Sequence, residues 1–388
     1  MTEQAASIAP AFLPYGRQTI EQADIDAVTA VLRSDWLTTG PMVTDFETQF
    51  AAFVGADHAV AVSNGTAALH LAVLAAGIGP GDEVIVPSMT FAASANCVRY
   101  AGATVVFADV RADTLTIDAD HVEQLINERT RAIVAVDYAG VPCDLDPLLA
   151  LAERHGLTLI EDACHAPGAR YGDRKVGTIA HLTAFSFHPV KHLTTAEGGM
   201  VTSNDARLAG RVRLLRNHGI ATDFRQREET GTWEYDMVEL GFNYRLPDLN
   251  CALGLAQLTR LDAWIERRRA IADRYAELFA GSDAIRVPAE PAGMFASWHL
   301  YPVRIEGDDR AARRARAFTG LRAAGIGVNV HYRPVHLHTY YRDLGYGPGL
   351  TPVAEEAYLG LLSLPMWPGI TDTDQQRVAD ALIGIVTQ

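Results

Sequence analysis

Between residues 58 and 205 the chain carries short, continuously apolar runs separated by stretches of helical spacing. The runs are "HAVAVS", "DEVIVPS", "ATVVFADV", "RAIVAVD", "LTLIEDA", "LTAFSF" and "GGMVTS". Apolar runs without polar alternation suit strands covered on both faces, so an α/β fold with a mostly parallel seven-stranded sheet is expected. Residues 246–280 place apolar side chains at helical intervals and predict helices leading out of that sheet. The last third mixes predicted strands, "SWHLYPVRI" and "GIGVNVHY", with helices, an α+β pattern. The expected organisation is a large domain over 1–255, including an N-terminal segment, and a smaller C-terminal α+β domain over 256–388. No internal repeat is visible.

Composition narrows the class. In 388 residues, 48% hydrophobic and 21% charged, the balance is that of a globular protein. A net charge of -14 with no basic face argues against a nucleic-acid partner. The N-terminal stretch has neither a basic leader nor an apolar core, and no run reaches membrane-spanning length, so no membrane association and a cytoplasmic location are expected. Cys97, Cys143, Cys164 and Cys251 are scattered without a CxxC pair, which predicts reduced, mostly buried thiols and no metal site.

Candidate chemistry begins with an imbalance among the basic residues. Of 33 Lys+Arg, two are lysines, Lys175 and Lys191. Only a primary amine condenses with a carbonyl, because a guanidinium stays protonated and is a poor nucleophile. Lys175 lies in a polar, Gly-containing turn and reads as a solvated cation. Lys191 lies in "AFSFHPVKHLTTAEGGM", flanked by aromatics and histidines. Upstream, "VSNGTAALHLAVLAAG" reads as a strand, a tight turn at Gly65 and Thr66, and an alanine-rich helix; such a helix start suits a phosphate or needs only an ordinary cap. "LIEDACHAPGA" delivers Asp162 to the carboxyl end of a strand, where a carboxylate can pair with a protonated ring nitrogen or cap a following helix. His165 could reach a cofactor oxygen, Ser186 offers a hydroxyl to phosphate, and "EGG" at Glu197–Gly199 suits a tight turn into the next strand.

The blocks "SNGTAALHLA", "VPSMTFAASANCVRYAGATVVFADV", "EDACHAPGA", "FSFHPVKHLTTAEGGMV" and "LGFNYRLPDLNCALGLAQL" resemble the DegT-type sugar aminotransferases over essentially the whole chain. The resemblance implies the pyridoxal-phosphate-dependent transferase fold of type I, with pyridoxal 5'-phosphate as cofactor and its pyridoxamine form as the alternate state. Carried over by position, Lys191 matches the Schiff-base lysine, Asp162 the partner of the pyridine nitrogen and His165 the residue facing the phenolic oxygen. Gly65, Thr66 and Ser186 fall on phosphate-binding positions and Phe91 on the aromatic packed against the ring. Asn243 matches a residue that reaches the phosphate from a neighbouring subunit, which implies a homodimer with sites at the interface. Ala196 departs from the commoner "TTGEGG".

Further segments, "FLPYGRQTI", "RSDWLTTGP", "HYRPVHLHTYYRDLGY" and "LSLPMWPGITDTDQ", are similar to the C4-aminotransferases of pseudaminic acid biosynthesis. That similarity implies L-glutamate as donor and a UDP-linked 4-keto-6-deoxy-2-acetamido sugar as acceptor. An acidic chain needs local cations to meet the diphosphate. Arg17, Arg245, Arg333, His331 and His336 are the candidates, with Tyr15, Trp36 and Tyr332 available to stack on sugar or base. Lys191 disfavours the related sugar dehydratases, which lack that lysine. Another UDP- or dTDP-linked 4-keto or 3-keto sugar, or a non-catalytic sensor that binds the same cofactor, stays open. The short stretch before "PYGRQ" is expected to leave no room for a DNA-binding domain.

Overall fold

The computed structural model describes residues 12–222, 227 and 231–387. All seven apolar runs form strands of one sheet: β1 (His58–Val62), β2 (Glu83–Pro87), β3 (Thr104–Ala108), β4 (Thr130–Val136), β5 (Thr158–Asp162), β8 (Leu182–Ser186) and β9 (Gly199–Ser203). Two-residue strands β6 (Arg170–Tyr171) and β7 (Arg174–Lys175) lie between β5 and β8 in sequence and belong to a separate small ribbon. The order across the large sheet is β1-β9-β8-β5-β4-β2-β3. β9 runs antiparallel to both neighbours, and the pairs from β8 through to β3 are parallel. The carboxyl ends of β1, β5 and β8 therefore open on one edge.

Both faces of this sheet are covered, as the unbroken apolar runs require. Along β4, Val134 and Val136 join one core cluster while Ile133 and Ala135 join another, the period-two alternation of a pleated strand. The helix α3 (Gly65–Ala75) is buried almost all round: Ala67, Ala68, Ala72 and Ala75 let it approach the sheet closely. Asn64 caps it, its Oδ1 accepting from Ala67 N–H at 2.8 Å.

The stretch 246–280 forms two helices, Asp248–Leu258 and Leu261–Phe279, broken at Thr259 and Arg260. Beyond them β10 (Ile285–Arg286), β12 (Tyr301–Ile305) and β13 (Leu361–Leu364) make an antiparallel sheet, and the two-residue β11 (Met294–Phe295) joins the ribbon of β6 and β7. Val303, Ile305, Leu362 and Leu364 pack there against Leu321, Val378 and Leu382 of the helices Arg310–Ala323 and Asp372–Val386. The expected strand at "GIGVNVHY" does not form. Ile326 and Asn329 make isolated bridges to Leu13 and Ser363 instead, because the N-terminal segment and β13 each pair with it at a single position.

Candidate active site

The sheet edge opens on a cavity of ≈ 900 Å³. β1 and the start of α3 bring Asn64, Gly65 and Thr66; β5 ends on Asp162 with Cys164 and His165 in the following turn; β8 ends on Ser186 and leads to Lys191. Gly65 has a steric reason to be glycine: a Cβ there would lie 2.8 Å from Ser186 Cβ and 3.2 Å from Cys164 Sγ, so a side chain would push apart the elements that form the cradle. The lysine loop is pinned at its base. Phe187 N–H donates to Gly198 O and its carbonyl accepts from Thr195 N–H, while its ring sits buried against Phe46 and Phe50.

Asp162 is held from two sides. Ser94 Oγ donates to its Oδ2 at 2.6 Å and Cys164 N–H donates to its Oδ1 at 3.2 Å. Since a carboxylate only accepts, Ser94 spends its proton on Asp162, and Thr90 Oγ1, 2.7 Å from Ser94 Oγ, supplies the proton of the second bond. The imidazole of His165 stacks on Tyr332 and lies 4.6 Å from the His299 ring centroid; its Nε2 is 3.1 Å from Tyr332 Oη, and its buried Nδ1 has no partner.

Burial dominates the electrostatics. It lowers the Lys191 amine, against the pull of Cys164 and Asp162 and with a further push from Arg268. Desolvation, then Lys191, holds His165 well below the usual histidine range, and burial takes His331 down to about 4. Imidazoles held below the usual histidine range thus line the same cavity as an amine that burial lowers. No group of three or more metal-ligating side chains occurs among the described residues. No described helix is long and apolar enough to cross a membrane.

Residues 18–383 match the family model described as DegT/DnrJ/EryC1/StrS aminotransferase family. The chain belongs to this aminotransferase family. It is 43% identical over 378 residues, 97% of each protein, to the spore coat polysaccharide biosynthesis protein SpsC of Bacillus subtilis. It is also similar to the putative sugar aminotransferase Spr1654 from Streptococcus pneumoniae in its PMP form, with TM-score 0.92 and 34% identity, covering 97% of this chain and 99% of that one. Helicobacter pylori PseC, an aminotransferase involved in the biosynthesis of pseudoaminic acid, superposes with TM-score 0.90 at 31% identity over 97% of this chain and 99% of that one. The fold is that of the type I pyridoxal-phosphate aminotransferases, a family that depends on this cofactor. The cavity fits the group: it offers an amine, a carboxyl group that accepts from two donors, an orphaned buried imidazole nitrogen and a glycine-lined helix start.

Ten of the residues singled out in the sequence meet in the wall of this aminotransferase cavity: Gly65, Thr66, Asp162, His165, Ser186 and Lys191, with Phe91, Tyr15, His331 and Tyr332 beside them. Others lie elsewhere. His336 is fully buried, with Nε2 3.0 Å from Glu355 Oε1, so it serves the interior rather than a ligand. Arg245 donates to Asn217 Oδ1 at 2.7 Å and Arg333 to Leu337 O, both off the cavity wall. Arg17 borders a smaller neighbouring void, and Trp36 sits in the turn after the helix Gln22–Leu32, hydrogen-bonded to Ser34. Asn243 is exposed and pairs with Asn217.

The helix-cap reading of Asp162 fails because a turn follows it instead of a helix. The tight turn expected at "EGG" falls at Ala196, whose φ is +65°; Gly199 is needed for close approach, since a Cβ would lie 2.6 Å from Asn64 O. Lys175 is half-buried on Phe53, donating to its carbonyl, and is not fully solvated. Sequence reasoning missed Ser94, Thr90 and His299. The first two stand in the quoted "TFAAS" block at a spacing of four, whereas His299 lay inside an apparent strand and carried no separate signal.

Proposed function

We propose that this chain transfers an amino group from L-glutamate to C4 of a UDP-linked 4-keto-6-deoxy-2-acetamido sugar, UDP-2-acetamido-2,6-dideoxy-β-L-arabino-hex-4-ulose, in pseudaminic-acid-type biosynthesis. It acts as a cytoplasmic homodimer with a large domain over 1–255 and a small one over 256–388. The observation that carries the reading is the convergence of Lys191, Asp162, His165 and the Gly65–Thr66 helix start on one cavity. The segments shared with the pseudaminic-acid aminotransferases and the likeness to PseC support the acceptor.

Pyridoxal phosphate, when bound, supplies a conjugated ring that takes up the electron pair left as a proton departs from carbon. Lys191 Nζ would hold the cofactor and, when free, would take up and return the proton at the substrate carbon. Asp162 would face the ring nitrogen, held in place by the hydrogen bonds from Ser94 Oγ and Cys164 N–H. Thr66 and Ser186 take the phosphate at the start of α3, where the helix dipole favours an anion. His165 orients the phenolic oxygen and Phe91 covers the ring. Tyr15, His331 and Tyr332, in the wall of the same cavity, would meet the sugar.

The second subunit is supported by exposed apolar surface. Trp233, Tyr235, Met237, Val238 and Leu240 are exposed just before Asn243, which is also exposed, an arrangement that a second copy would cover while bringing Asn243 to the neighbouring phosphate.

A second reading is favoured by the higher identity to SpsC: the acceptor would then be another nucleotide-linked ketosugar, bound for a surface polysaccharide. The deciding experiment is incubation with L-glutamate and a panel of UDP- and dTDP-linked 3-keto and 4-keto sugars, products being identified by mass spectrometry and NMR. Conversion confined to dTDP sugars or 3-keto isomers removes the proposed acceptor. No conversion with any acceptor, and no spectral change on adding L-glutamate, leaves a cofactor-binding sensor.

A further inference from the structure

Four buried imidazoles line the cavity: His70, His165, His299 and His331. Three of them have hydrogen-bond partners. His70 Nδ1 lies 3.4 Å from Tyr244 Oη, His165 Nε2 3.1 Å from Tyr332 Oη, and His331 meets Ser363 Oγ at 2.9 Å and Asn329 Nδ2 at 3.3 Å. Among the described residues, neither ring nitrogen of His299 finds such a partner: Nδ1 is buried and orphaned, and Nε2 is the nitrogen left to the cavity. The main chain of this residue is nonetheless fixed, its N–H donating to Ala139 O at 2.8 Å and its carbonyl accepting from Arg268 at 3.3 Å. A neutral imidazole carries one donor and one acceptor, and leaving both unspent in a buried wall is costly. The position asks for a ligand.

Its neighbours say which one. The His299 ring lies 4.6 Å from that of His165 and 5.7 Å from that of His192, the residue after Lys191. It thus sits between the turn after β5 and the lysine loop, and the substituents of a carbon reacting at Lys191 fall to this part of the wall. In an amino-acid donor one of those substituents is a carboxylate, whose charge has to be met. Among the described residues of this chain no arginine borders the cavity, Lys191 is the one lysine in its wall, and Asp162 and Glu197 are acidic. Lys191 is engaged by its covalent role, and the start of α3 by the phosphate. What remains for a second anion is imidazole, and His299 is the buried one with both nitrogens free.

We infer that His299 receives the carboxylate on the reacting carbon of the amino donor and takes up one proton from solvent as the donor binds. The inference rests on the proposed role of Lys191 and on L-glutamate as donor. In the empty cavity burial, then Lys191, His165, His192 and Arg268, hold this imidazole well below the usual histidine range. The titratable groups facing it are these same four, His165 from the turn after β5, Lys191 and His192 from the lysine loop and Arg268 from the helix Leu261–Phe279, with His331 and Tyr332 in the same wall. A carboxylate brought against the ring acts in the opposite direction and favours its protonated form. In the second half-reaction the ring, neutral again, offers one donor and one acceptor to an uncharged sugar.

The test is calorimetric. 2-Oxoglutarate keeps both carboxylates of the donor and lacks its amine, so it binds the pyridoxal-phosphate-loaded protein without transferring a group. Titrations in buffers of different ionisation enthalpy count the protons taken up. Wild type gains about one proton per site, and its affinity falls by up to about tenfold per pH unit as pH rises from neutral into the alkaline range. His299→Gln binds about ten- to a hundredfold more weakly and without that uptake, with His299→Asn as the second variant should the first fail to fold. A purely structural histidine would change thermal stability and leave the proton count as it was. No binding of 2-oxoglutarate, binding to wild type without proton uptake, or an equal uptake in whichever variant folds overturns the inference. The spectral change on adding L-glutamate reports separately on the donor, and borohydride reduction with peptide mapping on Lys191, so the ideas fail in different places.

Discussion

At the residue scale, the most informative contacts are those on Asp162. The relay from Thr90 through Ser94 ends on this carboxylate, and a hydrogen bond to a charged group is worth about 1.5–3 kcal/mol. Ser94→Ala should therefore weaken cofactor binding about ten- to a hundredfold in an equilibrium titration, with Ser94→Thr recovering most of the loss. Unchanged affinity in the alanine variant would detach Ser94 from the site. Ala196 is a different case. It holds φ at +65°, a left-handed conformation that costs a residue bearing Cβ about 1 kcal/mol. Ala196→Gly should raise stability by about 0.5–1 kcal/mol in urea denaturation, and no gain would mean that the loop already absorbs the strain elsewhere. The lysine, the aspartate and the glycine of the helix start were all legible in the sequence because their chemistry is local: each stands in a short motif at the end of an apolar run. Ser94 and His299 were not, since what makes them matter is a partner 68 residues away in one case and a ring contact with His165 in the other.

At the element scale, β4 and β5 bury two acids beneath the site. Glu161 is fully buried in β5, its Oε2 accepting from Thr183 Oγ1 at 2.9 Å while Oε1 has no partner; Asp137, just after β4, likewise leaves Oδ2 unpartnered. Burial pushes Glu161 up to about 7 and Asp137 well above the ordinary carboxyl range. An acid raised in the folded state binds its proton more tightly there than in the unfolded chain. Its stabilisation is complete below the unfolded value of 4.5 and is lost as pH rises toward about 7. Wild type should thus lose stability relative to Glu161→Gln as pH climbs through that window, by comparison of urea midpoints in weakly acidic and weakly alkaline buffer. A constant difference between the two proteins would show that Glu161 stays ionised. The strands themselves were readable, all seven of them, because burial on both faces leaves an unbroken apolar signature. "GIGVNVHY" carried a similar signature and formed no strand, since a strand also needs a partner running beside it and here two different segments each offer a single bridge.

At the scale of the whole molecule, the exposed apolar stretch before Asn243 predicts assembly. Light scattering should give the mass of a dimer, and mixing Lys191→Ala with Asn243→Ala chains should restore activity to a fraction of the sites, because one of the two sites in a mixed dimer then has both residues intact. A monomeric mass, or mixtures no more active than their components, would place Asn243 outside the neighbouring site. By itself the sequence determined the sheet, the family and the candidate amine, since hydrophobic period and short motifs depend on neighbours along the chain. Tertiary structure alone decided that His336 belongs to the interior, that Arg268 is buried against the backbone carbonyls of Trp298, His299 and Met366, and that Ser94 meets Asp162. Burial and distance across elements are properties of the packed chain, and no local pattern encodes them.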